Sequence, residues 1–557
     1  MIFGRFRRHR RGFELNPDEI FLDSSNLSGF DQSRLEGRLE KPVSQRTFAT
    51  IGLAVLLAFT VLAAQAANLQ IVQGTAYAER SERNRLRPEV VFAERGAIVD
   101  RNGTPLVYNE QGDDGFVRRV YEYPGFSHLL GYVSYPKRDS SGNFYDTEIK
   151  GLSGVEEAMN AVLAGRNGTL LVEEDAHGDV QSSGTISPPE KGQTVTLSID
   201  ARAQRAFADA VAELADRIPF MGGSAILMDV NTGEIHALVS YPEYDPNVLS
   251  SGGPSDVIAS YQTNARRVYL DRAVSGLYTP GSILKPMVSA GALTDGVVSP
   301  SWGIVSTGSI SIPNPYDPSK PSIFKDWKAH GWVDGRRAIA VSSDVYYYAI
   351  GGGYGDVKGL GIERLKYWYD AFGLTSPTGI ELSGEATGFV PTPAWKEERF
   401  GDPWRLGDTY NTSIGQYAMQ VTPLAAARAT AAVANGGRLV KPTLVKDAPL
   451  QGQSIPVNQS ALKVAQEGMR MAVTEGTAAG LGPLSFARAA AKTGTAQVGA
   501  NNEFYNSWAV GYFPYDNPRY AFVVVMERGP STNSVGGIYV TYHALSALYR
   551  TAPEYFE

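Results

Sequence analysis

Ser282 and Lys285 stand three residues apart in the run Tyr278-Thr279-Pro280-Gly281-Ser282-Ile283-Leu284-Lys285-Pro286. A serine hydroxyl attacks a carbonyl only when a neighbouring base takes its proton, and a neutral lysine amine can be that base. Pro-Gly reads as a turn into a helix, which puts Ser282 at a helix N-terminus and Lys285 one turn on, on the same face. The positive end of the helix dipole and partial burial both disfavour a charged lysine there. A four-residue pattern recurs by chance, and its ordinary reading is a helix start with a surface lysine. Two later segments change that balance. Ser342-Ser343-Asp344 and Lys492-Thr493-Gly494-Thr495 supply a second hydroxyl, a carboxylate and a second lysine. Ser342 can relay a proton from Lys285 to a leaving amine, and Lys492 with the Thr495 hydroxyl can hold a substrate carboxylate. An oxyanion needs two N–H donors, for which the backbone amides of Ser282 and Thr495 are the candidates. Gly494 on an edge strand lets a substrate backbone approach closely. Singly these residues have plain alternatives (a capping serine, a turn, a surface lysine); jointly they describe acyl transfer through a serine ester.

Elements able to position them are legible around the three segments. Ser224 to Val230 and Glu234 to Ser240 alternate apolar and polar residues about Asn231-Thr232-Gly233, a hairpin signal. A second pair, Ser507 to Phe513 and Tyr520 to Glu527, flanks a turn rich in Pro, Asp and Asn. Helical patterns cover Pro423 to Ala434 and Ala461 to Val473. The pattern predicts a mixed α/β fold, an antiparallel sheet with strands from both ends of the domain, flanked by helices, and a helical subdomain inserted between. No repeat of solenoid or propeller length is evident.

The chain has 557 residues, 51 Lys+Arg against 58 Asp+Glu, and no cysteine. Disulfide scaffolds, thiolate metal sites and thiol nucleophiles are therefore excluded. Six histidines without metal-ligand spacing argue against a metal enzyme, and a net charge of −7 argues against nucleic-acid binding by the whole chain. From Thr47 to Ala78 there is no charged residue. A helix over 47–67 would be about 31 Å long, enough to cross a bilayer. Ala64-Gln65-Ala66 has the form of a signal-peptidase site, but the 46 residues before the apolar run are too many for a cleaved leader, and the run has no polar face to suit a core helix. Basic residues near the membrane are balanced on the two sides. MIFGRFRRHRRG at the extreme N-terminus, with five arginines, breaks the tie and predicts a cytoplasmic tail with the rest outside. The tail is net basic, so the exported part is more acidic than the total.

With its trio of segments, the chain resembles a class B penicillin-binding protein, a membrane-anchored peptidoglycan D,D-transpeptidase. The resemblance covers most of the chain beyond the membrane. Arg95-Gly96-Ala97-Ile98-Val99-Asp100-Arg101-Asn102-Gly103 is similar to the family's RGxIxDRNG segment, and Gly151-Leu152-Ser153-Gly154-Val155-Glu156 to its later G-x-x-G-x-E element. Asp326-Trp327-Lys328-Ala329-His330-Gly331, Trp404-Arg405-Leu406-Gly407-Asp408-Thr409, Ile414-Gly415-Gln416 and the aspartate of Ser342-Ser343-Asp344 resemble the elongation-type branch, penicillin-binding protein 2. The implied organisation is a cytoplasmic tail (1–46), a transmembrane helix (47–67), a small α+β pedestal (68–190) and a transpeptidase domain of β-lactamase-like fold (191–557). The resemblance makes Ser282 the acylated nucleophile, Lys285 its base, Ser342 the relay, Asp344 a positioning carboxylate, and Lys492, Thr493, Gly494 and Thr495 the carboxylate-binding strand. It implies D-Ala–D-Ala stem peptides as substrates, with carboxypeptidase action as a possible side reaction, and β-lactams as covalent inhibitors. It implies a RodA-like SEDS glycosyltransferase as partner, and neither cofactor nor metal.

Only a short stretch separates Gly103 from Tyr121-Glu122-Tyr123-Pro124, where the family usually builds a head subdomain. The head is therefore expected to be missing or much reduced. Tyr417 stands where glycine commonly follows IGQ, and Ala329 replaces the first glycine of G-H-G. A division-specific transpeptidase is the nearest rival reading. A silent scaffold that binds β-lactams and activates a glycosyltransferase is the main non-enzyme one. A β-lactamase has no use for the pedestal segments, a β-lactam sensor would carry more spans or a signalling domain, and a bifunctional synthase would not fit in the residues available.

Overall fold

A computed structural model describes residues 43–112, 117–142, 144–174, 180–314, 317 and 319–557. The arginine-rich N-terminal segment lies outside the described residues. Helix α1 (Gln45–Ala67) starts where the Ser44 hydroxyl accepts a hydrogen bond from Thr47 N–H, and none of its residues is buried. A π-helical turn, Asn68–Val72, and a helix over Gly74–Arg85 follow. A helix apolar on every side on which none of the described residues packs suits another apolar medium, and 45–72 is long and apolar enough to cross a membrane.

Residues 88–173 and 179–557 form a second compact unit. Its first part carries a four-stranded sheet in the order Val195–Thr196, Ile98–Val99, Pro105–Gln111, Val117–Tyr121. The last two strands are a hairpin whose register pairs Gln111 with Val117, so only a few residues separate the strands at the place where a head subdomain is expected to be missing or much reduced. Beneath the hairpin Glu156 takes two guanidinium groups: Arg95 Nε at 2.7 Å and Arg119 Nη2 at 2.6 Å, with all three side chains at most 1% exposed.

The second part is built on five antiparallel strands. After α2 (Ala201–Arg217), capped by Asp200, come β1 (Gly222–Asp229) and β2 (Ile235–Tyr241). Then follow α3 (Lys285–Thr294), α4 (Asp344–Gly352), α5 (Pro423–Ala434) and α6 (Gln459–Glu475). The sheet is completed by β3 (Ala490–Val498), β4 (Phe504–Phe513) and β5 (Tyr520–Pro530), and α7 (Gly537–Thr551) closes the fold. The sheet order is β2-β1-β5-β4-β3, so the two predicted hairpins meet through β1 and β5, with Ser224 opposite Val525. On β5 the alternation of a strand buried on both faces is plain. Phe522, Val524 and Met526 face a core shared with Phe207, Leu214, Val540 and Leu548 of α2 and α7. Val523 and Val525 face a second core with Leu424, Ala427 and Ala431 of α5. All twelve residues of α5 are buried, and its run of alanines lets it lie close to the sheet. The helices between β2 and β3 cover this second face, and β3 is left as an edge.

Candidate active site

The nucleophile candidate is held by backbone. Gly281–Leu284 forms a 3-10 turn that runs directly into α3 at Lys285, the first residue of the helix. Three contacts fix this turn. Tyr278 exchanges both backbone hydrogen bonds with Val421, at 3.0 and 2.9 Å. Trp508 Nε1 on β4 donates to Thr279 O at 3.0 Å, and Gly281 N–H donates to Gly415 O at 2.8 Å. Gly281 has φ +58°, and Gly494 on β3 lies so near that a Cβ there would fall 2.8 Å from Pro280 O. Ser282 is half-buried, and no side chain among the described residues hydrogen-bonds its hydroxyl.

Lys285 is fully buried, and its Nζ donates to Asp344 Oδ1 at 2.6 Å, Ser342 O at 2.8 Å and Ser342 Oγ at 3.3 Å. The Tyr347 ring covers the same ammonium at 5.0 Å. Ser342 ends the helix Gly335–Ala340. Ser343 N–H reaches back to Ala338 O and Ser342 N–H to Ile339 O, the pair of bonds that closes a Schellman motif. Ser342 occupies its left-handed position, φ +59°, where glycine is usual. From there its Oγ accepts a second lysine, Lys492 Nζ, at 2.8 Å; Lys492 also donates to Thr493 O at 2.8 Å. Two amines from different elements thus meet on one hydroxyl beside the Ser282 turn.

The helix-dipole argument concerns Lys285, and the fold adds a second buried lysine. In the fold Lys285 has a carboxylate partner, whereas Lys492 has none within ion-pair distance among the described residues. Burial, with the Lys285 ammonium nearby, holds Lys492 well below the ordinary lysine range.

Models of known families match both parts of the second unit: the penicillin-binding protein transpeptidase domain over residues 223–541 and the penicillin-binding protein dimerisation domain over 115–197. A peptidoglycan D,D-transpeptidase MrdA of Haemophilus influenzae is 32% identical over 461 residues, 75% of this chain and 68% of the relative. The chain belongs to the penicillin-binding protein transpeptidase family. A crystal structure of Pseudomonas aeruginosa PBP2 in complex with WCK 5153 superposes with a TM-score of 0.68 at 29% identity, covering 83% of this chain and 96% of that one. A chain from a structure titled for the coordination of polymerization and crosslinking by a peptidoglycan synthase complex superposes at 0.69 and 26% identity, covering 90% and 97%. The mixed α/β transpeptidase fold read from the sequence is that of these proteins, and the enzyme class is that of a serine-type D,D-transpeptidase.

Within this penicillin-binding protein, Thr493 and Thr495 differ in availability. Thr493 Oγ1 is engaged by Thr477 Oγ1 at 2.7 Å, whereas Thr495 is exposed on the edge strand beside the Ser282 turn. Thr477, in the turn after α6, was not readable as a site residue, since nothing in its spacing ties it to β3. Asp326 was quoted only as part of a motif, yet its buried carboxylate accepts from Ser343 Oγ at 2.8 Å, Val345 N at 3.1 Å, Ser306 Oγ at 3.2 Å and, through Oδ1, Trp327 N at 2.8 Å. Its signal is an acid followed directly by a tryptophan in a short loop. His330 Nε2 lies 3.4 Å from Asp326 Oδ1, and burial holds its imidazole below the ordinary histidine range. Tyr417, the departure after IGQ, keeps a left-handed φ of +68°, with its ring edge-on to Trp395 and Trp404.

Proposed function

We propose that this chain cross-links peptidoglycan during cell-wall elongation through an acyl-enzyme on Ser282. The observation that carries the reading is the convergence of Lys285 Nζ and Lys492 Nζ on Ser342 Oγ beside the Ser282 turn. Lys285 first passes a proton through Ser342 Oγ to the Lys492 amine; Ser282 Oγ then attacks the penultimate D-alanine carbonyl of a stem peptide while Lys285, one turn away and now an amine, takes its proton. The tetrahedral oxyanion sits between the backbone N–H groups of Ser282 and Thr495. Collapse breaks the peptide bond, and the departing D-alanine amine takes a proton relayed through Ser342 Oγ from the two lysines that flank it. Asp344 holds the Lys285 amine in place. Lys492 and the free Thr495 hydroxyl receive the terminal carboxylate, with Thr493 and Gly494 shaping that strand. The amine of a neighbouring stem then attacks the ester, hands its proton back along the same path and frees Ser282. A β-lactam presents a carbonyl and a carboxylate in a similar relation and would acylate the same serine.

The tail before α1 carries the excess of arginine over short distance, which supports a cytoplasmic N-terminus with the catalytic part outside the membrane. The MrdA relatives and the structure titled for a synthase complex support the elongation assignment and a glycan-polymerising membrane partner of the RodA-like kind. With the head reduced to a hairpin, α1 is the element left to meet such a partner. Labelling of the full-length protein by a fluorescent penicillin tests the chemistry. Wild type should take label, while Ser282→Ala and Lys285→Ala should not. A folded wild type that stays unlabelled, or label retained by Ser282→Ala, would overturn the assignment. Copurification with a RodA-like rather than an FtsW-like protein tests the elongation role.

A further inference from the structure

The geometry points to Asp326 and Trp327 as positioning residues that hold Ser342 in its left-handed conformation between the two lysines. The inference rests on the relay role proposed for Ser342. A serine at the αL position of a Schellman motif leaves that conformation readily, because only glycine adopts it without steric cost. If Ser342 relaxed to the right-handed region, its Oγ would swing away from Lys285 and Lys492. The two Schellman bonds and the Lys285 bond to Ser342 O oppose this in part. Further restraint comes from outside the segment, and it brackets the residue. On one side, Trp327 Nε1 donates to Val341 O at 3.2 Å. On the other, Asp326 Oδ2 accepts from Ser343 Oγ at 2.8 Å and from Val345 N at 3.1 Å. The residues immediately before and after Ser342, and the first turn of α4, are thus tied to one adjacent pair.

The tie has a firm base. Asp326 Oδ2 also accepts from Ser306 Oγ at 3.2 Å, and Ser306 belongs to the strand Gly303–Ser306, which pairs with Gly331–Asp334. The carboxylate is completely buried, so water does not compete for these donors. Asp326 touches no reacting atom; it acts through the backbone on either side of Ser342. A merely structural acid at this place would be needed for folding but not for the rate of the chemical step.

The test uses the full-length protein in detergent and the kinetics of acylation by a fluorescent penicillin, separated into a binding constant and a first-order acylation rate. Asp326→Asn turns an amide toward donors that need an acceptor. It is expected to lower the acylation rate about a hundredfold with the binding constant nearly unchanged, as for a group displaced by about an ångström. Trp327→Phe keeps an aromatic ring but removes the donor to Val341, and a smaller loss of about tenfold in the same rate constant is expected. Ser342→Ala is measured beside them. Wild-type acylation rates in folded Asp326→Asn and Trp327→Phe, with Ser342→Ala impaired, would overturn the inference and leave the relay standing. Rapid acylation by Ser342→Ala would overturn the relay itself. Should Asp326→Asn fail to fold, Trp327→Phe combined with Ser343→Ala, which removes one tie from each side of Ser342, decides on the same readout.

Discussion

Gly415 lies directly on the backbone of Gly281, the residue before the nucleophile candidate: the Gly281 N–H donates to Gly415 O at 2.8 Å, and a Cβ on Gly415 would fall 2.2 Å from Gly281 O. Gly415 also has φ +74°, a region that costs an L-residue about 1–2 kcal/mol. Gly415→Ala therefore meets both strain and a backbone clash, and the Ser282 turn is the element that must give way. We expect the variant to lose at least about tenfold in penicillin acylation rate. Its unfolding midpoint should also fall, read from tryptophan fluorescence in urea. Unchanged acylation would show that the turn is held by its other anchors alone.

Lys492 provides a pH-dependent test. In the unfolded chain a lysine titrates near about pH 10.4. Burial and the Lys285 ammonium hold Lys492 well below its ordinary range in the fold. Between these two values the unfolded state binds more protons than the folded one, so this group makes stability rise with pH across that window. Lys492→Met removes the cost of burying the amine. The variant should be more stable than wild type near neutral pH, by about 1–2 kcal/mol, and its advantage should shrink as pH approaches about 10. Acylation should nonetheless be lost, because Ser342 keeps only one of its two amines. Urea unfolding at several pH values, beside penicillin labelling, measures both effects.

The three candidate segments and the two hairpins are legible in the chain because each is local. Asn231-Thr232-Gly233 marks its turn, and Ser282 and Lys285 lie within one helical turn. What escaped is what needs the fold. The contact of Gly415 with Gly281 joins segments far apart in the chain, and no spacing rule reports it. The left-handed φ of Ser342 was hidden because a serine before a helix reads as a cap; here Ser343 takes the N-cap position and Ser342 ends the previous helix. Asp344, which arrives at Lys285 from α4, and Lys492, buried with no carboxylate at ion-pair distance among the described residues, both lie outside the helix that begins at Lys285. The short gap between Gly103 and Tyr121 is legible in the sequence, and the Gln111–Val117 register shows that a strand hairpin occupies it.

Among the described residues, Glu156 is the single counter-charge for two buried guanidinium groups. Burial, with the Arg119 guanidinium nearby, pulls Arg95 below the ordinary arginine range, and Glu156 opposes that shift. Replacing Glu156 by Gln leaves two cations in a dry site without compensation, which for a buried pair costs about 3–5 kcal/mol. We expect Glu156→Gln to destabilise the pedestal by that order in urea, read from its unfolding midpoint. Molecules that remain folded should acylate at the wild-type rate. A rate loss in folded Glu156→Gln would instead couple the pedestal to the catalytic turn.

Tyr417 sets two effects against each other. A left-handed φ of +68° costs a tyrosine about 1–2 kcal/mol, so Tyr417→Gly should gain that much from backbone relief. Against it stand the edge-on contacts with Trp395 and Trp404, at centroid distances of 6.1 and 6.0 Å, each worth about 0.5–1.5 kcal/mol beyond the area the ring buries. The half-buried ring adds about 1–2 kcal/mol of apolar burial, so its loss outweighs the relief. Tyr417→Gly should therefore be less stable than wild type by about 2 kcal/mol, the difference of these terms. Tyr417→Asn, which tolerates the left-handed region less well than glycine but loses the same ring, should be less stable still. If Tyr417→Gly proves more stable than the wild type, the ring contributes little to the fold, and the strain is retained for what Tyr417 does in the cleft.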